Sequence, residues 1–150
     1  MHDNITIFNS MTGALLDELY RSFPSPRQVD TKALYEAAGL RFSSYDEMGV
    51  TVEKIKDGDG EDKSEELKFL HRHVVKWLVD EGFVRDVGSR RYVLTSKSLS
   101  VMNAHPASLG GSLGAKLRDA VSDAGGEAGR AAVSETVGMI IGGVVRGLSQ

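Results

Sequence analysis

A chain of 150 residues with no cysteine and a formal net charge of −3 is long enough for one well-buried core, and the missing thiols exclude disulfides and thiolate metal sites together. The near balance of charge argues against unselective binding to nucleic acid. Met1-His2-Asp3-Asn4 carries an acid where a secretory leader needs a base, and the uncharged apolar run Val137 to Val145 is shorter than the ~20 residues that span a bilayer. The expected setting is cytoplasmic, with no integral membrane association.

Met11, Leu15, Leu19 and Phe23 recur at four-residue spacing and predict a first helix that ends at Phe23, because Pro24 and Pro26 cannot continue it. Asn9 is the preferred N-cap, with Asn4 the start of a longer helix that would have to carry Gly13. Asp30 caps a short second helix, Thr31 to Ala38, closed by Gly39. From 40 to 63 no helical period is sustained. Val50, Val52 and Ile55 hint at a short strand, Asp57-Gly58-Asp59-Gly60 is turn chemistry, and the segment is expected to be a mobile acidic loop.

Charge is separated along the chain. Between Asp46 and Glu66 nine acids stand against three lysines, and between Leu67 and Lys97 seven bases stand against three acids. The basic stretch holds the most strongly patterned helix, expected to open at Ser64 and to close at Gly82. At 100° per residue Leu67, Leu70, His71, Val74, Val75, Trp77 and Leu78 share one arc, and Lys68, Arg72, His73 and Lys76 take the opposite side. Phe83-Val84-Arg85 and Arg90 to Thr95 then read as a β-hairpin turning through Asp86-Val87-Gly88-Ser89. A helix from Ser96 to Asn103 follows, then a linker through Pro106 and Gly110-Gly111. Ser112 caps a helix bearing Leu113, Leu117, Ala120 or Val121, and Ala124, stopped by Gly125-Gly126. A last helix runs from Glu127 to about Leu148.

The run Phe69 to Met102, FLHRHVVKWLVDEGFVRDVGSRRYVLTSKSLSVM, resembles the last helix, wing and trailing helix of winged helix-turn-helix proteins. In these a helix ends in an acid-Gly-apolar turn and the second wing strand closes on Leu-Thr-x-Lys. The resemblance implies a mainly α fold with a small β-hairpin. A winged-helix domain would cover residues 1–103, with its acidic loop at about 40–63, and a linker and helical tail would fill 104–150. It also implies double-stranded DNA as partner, with Lys68, Arg72, His73 and Lys76 facing the major groove and Arg85, Arg90 and Arg91 on the wing.

No chemistry competes with this expectation. His71 and His73 are two apart on a helix and cannot share a metal. Asp57 to Asp62 misses a calcium loop, having Asp62 where Gly is needed and Lys68 where Glu is needed. Gly110 to Lys116 lacks the preceding strand and following Ser or Thr of a phosphate loop. Neither an enzyme, a cofactor nor a metal is expected. In the tail, Val133, Val137, Ile140, Ile141, Val144, Val145 and Leu148 form one apolar arc, and Gly138, Gly142, Gly143 and Gly147 would let another backbone approach closely. Three uses stay open: packing within the chain, pairing with the same helix of a second subunit, or peripheral membrane contact. The expectation is a dimeric DNA-binding regulator of transcription. Its alternative is an adaptor without DNA binding that recruits a protein through the acidic loop or the last helix.

Overall fold

In the computed structural model the first helix, α1 (Asn4–Ser22), takes the longer of the two expected forms and not the preferred start at Asn9: the Asp3 carboxylate accepts the Thr6 amide at 2.7 Å and caps it. Asn9 lies inside the helix, and Gly13 is carried because its missing side chain is where another helix crosses. A Cβ there would fall 2.4 Å from Val133 Cγ1. Ile7, Met11, Leu15, Leu16 and Leu19 are buried, while Phe23, expected on the same face, is partly exposed. The structure describes residues 3–104, 111–123 and 126–148, with side chains to 146. The expected features at Pro106, Gly110, Ala124 and Gly125, and the side chain of Leu148, lie outside the described residues.

A two-residue strand, β1 (Arg27–Gln28), leads into α2 (Thr31–Ala37), capped by Asp30 through the Ala33 amide at 3.1 Å. The segment expected to be a mobile loop is instead a regular antiparallel ribbon of β2 (Arg41–Glu47) and β3 (Val50–Lys56), joined at Met48-Gly49. Its foot is held by apolar contact: Phe42 stacks on Tyr35 at 5.3 Å between ring centroids, and Ile55 is fully buried.

The helix expected from Ser64 to Gly82 is broken in two, α3 (Ser64–Leu67) and α4 (Leu70–Asp80). The cause is tertiary. The Tyr35 hydroxyl donates to the Leu67 carbonyl, which an unbroken helix would use for its own ladder. Ser64 does not act as the N-cap of α3; its hydroxyl accepts the Ile55 amide at 2.9 Å and ties the helix start to the ribbon. After Gly82, whose φ of 81° turns the chain, β4 (Val84–Asp86) and β5 (Arg91–Leu94) form an antiparallel hairpin. β1 pairs with the far edge of β5, so the sheet order is β1-β5-β4.

Thr95 caps α5 (Ser96–Asn103) and Ser112 caps α6 (Leu113–Ser122), and α7 (Glu127–Leu148) closes the chain. α1 contacts α2, α4 and β5 as well as α6 and α7, and one apolar cluster joins all of them. α7 has the length and apolar content of a membrane-crossing helix. Its Val133, Val137, Ile140 and Val144, however, are buried within the same chain, and it contacts α1, α5 and α6. Those four are therefore not free to form a subunit interface; Ile141 is partly buried against the same cluster. Of the tail glycines, Gly143 admits a close approach, since a Cβ would lie 2.7 Å from Val101 Cγ1, whereas one at Gly138 would meet nothing within 4 Å.

Candidate nucleic-acid interface

The amphipathic pattern of α4 is realised on three sides. Val74, Val75 and Leu78 are buried, Arg72, His73 and Lys76 are exposed, and Lys68 sits half-exposed at the junction with α3. Trp77 departs from its expected place in the arc: it is 39% exposed, with its ring stacked on Phe83 at 5.5 Å and edge-on to Phe8 at 5.2 Å. Phe69, at the N-terminus of α4, is 47% exposed. The Arg72 guanidinium lies 5.1 Å and the Lys68 ammonium 5.5 Å from its ring centroid.

Two of the cations have acidic partners, Lys76 with Asp80 at 2.9 Å and Lys68 with Glu65 at 3.5 Å. Both pairs are solvent-exposed, and such pairs contribute at most about 1 kcal/mol. A phosphate can displace them.

The β4–β5 hairpin turns over Gly88 to Arg91, with the Arg91 amide donating to the Gly88 carbonyl at 3.1 Å. Ser89 at φ 56° and Arg90 at φ 59° are left-handed, and with Gly88 at φ 91° they make a three-residue loop between Val87 and Arg91. Neither Ser89 nor Arg90 is glycine or asparagine, so the turn carries a strain of roughly 1 kcal/mol or more at each of the two. Arg85, Arg90 and Arg91 are all exposed.

Between α4 and this hairpin lies a groove of about 770 Å³. Val29, Val75, Val79 and Tyr92 give it apolar lining, and Arg72, Lys76 and Arg90 converge on it. Lys68, His73, Arg85 and Arg91 stand outside it. Glu53, Asp80 and Asp86 also line it, so the groove is mixed in charge rather than basic throughout. Gln28, Thr31 and Glu53 were not foreseen as part of this site. The short strand hinted at by Val50, Val52 and Ile55 is β3, and its register brings Glu53 to the groove.

His71 lines the groove from its buried side, with Nδ1 3.1 Å from the Tyr35 hydroxyl oxygen. Because that hydroxyl donates to Leu67, Nδ1 is the donor in this pair and carries the imidazole proton. Burial lowers the pKa of His71 and raises that of Tyr35, which keeps both neutral. His73, two residues on, is exposed on another face of the helix. No group of three metal-ligating side chains forms among the described residues.

Compared with family models, with curated proteins and with solved structures, the chain matches none.

Proposed function

We propose that this chain is a winged-helix DNA-binding protein of regulatory type, with α4 entering the major groove and the β4–β5 hairpin acting as the wing. The observation that carries the reading is the uncovered cationic side of α4 beside a hairpin bearing Arg85, Arg90 and Arg91. The tail, where basic cover would have ended the idea, packs against α1 and α5. The β4–β5 hairpin after α4 fits the small hairpin that the winged-helix resemblance implies, and β1 extends it to a three-stranded sheet. The β2–β3 ribbon stands where such proteins have a short turn, and it brings Glu53 to the groove. The acids there temper the field, so binding depends on a few specific cations and weakens with salt in proportion to their small number.

Two copies on paired half-sites would read a two-fold sequence. The surface that joins them is not the buried tail arc.

The test is retardation of a random-sequence duplex at low salt. Arg72→Ala with Lys76→Ala should weaken binding by at least about tenfold and lower the salt dependence by about two charges. If the unaltered protein gives no retardation, the DNA reading is lost. The adaptor reading then takes its place, favoured by the exposed apolar tip of the ribbon.

A further inference from the structure

We propose that the β2–β3 ribbon pairs two copies of this chain, outer face against outer face, about a two-fold axis. The faces follow from register. Phe42 and Ile55 are cross-strand partners and point into the core, so the alternating pairs Ser44–Glu53 and Asp46–Thr51 share their face. The other face carries Arg41–Lys56, Ser43–Lys54, Tyr45–Val52 and Glu47–Val50, in order from foot to tip.

That face is graded: cations at the foot, an apolar row, then an acid beside the turn. Tyr45 is 45% exposed, Val50 63% and Met48, in the turn, 99%. This is the largest group of exposed apolar side chains that neighbour one another in the ribbon, and it stands on a two-stranded element that is marginal without further packing.

A gradient of this kind is complementary to its own reverse. A two-fold axis along the Tyr45–Val52 row lays apolar on apolar and sets Glu47 of each copy over Ser43 of the other, diagonally across from its Lys54. Among the described residues Lys54 pairs with Asp62 at 3.6 Å, a surface contact easily exchanged. The acid nearest the tip also disfavours a phosphate backbone as the occupant, and a second copy supplies the cations that the tip lacks. The face is small, which sets the expected dissociation constant in the micromolar range. The pairing needs no DNA and stands or falls independently of the function proposed above.

Light scattering of the full chain over about 1 to 200 µM brackets that constant and should show the mass rising from one chain toward two. Tyr45→Ser with Val50→Ser, and separately Glu47→Lys, should each weaken association by at least about tenfold. Glu47→Lys combined with Lys54→Glu should restore it, because the swap preserves the opposed charges. Unaltered thermal melting of these surface variants excludes unfolding as the cause. A single-chain mass at every concentration overturns the proposal. So does association that these substitutions leave unchanged, or a charge swap that fails to recover it.

Discussion

Against one side of α1 the tail packs so closely that Gly13 has no room for a methyl group, and four apolar residues of α7 together with Thr136 are enclosed. On the far side the chain exposes a ribbon tip, an aromatic ring flanked by cations and a hairpin turn with two strained residues. The first region has the features of a stabilising core, with α7 turning one side inward and leaving Val145 on its outer side. The second gathers the groups that can contact a partner, at some cost in local stability. A substitution should therefore act on folding or on binding according to the side it falls on.

The largest separation is expected between Ile140→Ala and Met48→Ser. Ile140 is fully enclosed, and its truncation should cost about 2–5 kcal/mol through lost transfer energy and a residual cavity. Met48 is almost fully exposed, and its replacement should change stability by less than about 0.5 kcal/mol. Denaturant unfolding of both variants measures the contrast. Comparable losses would mean that the ribbon tip is packed in solution.

A smaller effect is expected where the two regions meet, at His71. Burial disfavours its charged form, against the opposing pull of Glu53 and with help from Arg72 and His73. Below the ordinary value of 6.5 the unfolded chain therefore binds a proton that the folded chain resists, so stability falls as the pH drops from that value. Above it both states are neutral at this residue and the contribution is flat. Asp3 and Asp62, whose carboxyls are held below 3.8 by hydrogen bonds to Thr6 and Ser64, act only at more acid pH. Unfolding followed from neutral pH toward pH ~5 should show this loss in the unaltered chain and a flatter profile in His71→Gln, which titrates nothing. Parallel profiles would show that His71 is not the group responsible.

The same contrast explains which elements the sequence reveals. α4, the tail arc and the second hairpin carry most of their periodicity on one buried face, and such patterns read directly, although Trp77 and Val145, expected on those arcs, are exposed. The ribbon reads only in part: Val50, Val52 and Ile55 hint at β3, whereas Ser43, Ser44 and Asp46 leave both faces of β2 polar and the pairing is known only from the fold. The break between Leu67 and Leu70 is invisible for a related reason: the hydroxyl that imposes it belongs to Tyr35, on another helix. β1, with two residues, is too short to carry any pattern. For the site, the cations on α4 and the hairpin are legible as residue types, whereas Glu53 enters the groove only through the register of the ribbon.

The smallest effect concerns the hairpin turn. Arg90 holds a left-handed backbone that glycine adopts without steric penalty, so Arg90→Gly relieves strain while adding backbone freedom to the unfolded chain. The two contributions nearly cancel, and stability should change by no more than about 1 kcal/mol. Binding should respond differently, because the substitution removes one of the three cations that converge on the groove. Retardation of duplex DNA should weaken several-fold, with the salt dependence reduced by about one charge. Were Arg90→Gly to melt the fold and spare the binding, the strained turn would belong to the structural half of the molecule, and the division between a stabilising side and a contacting side would fail at the β4–β5 hairpin.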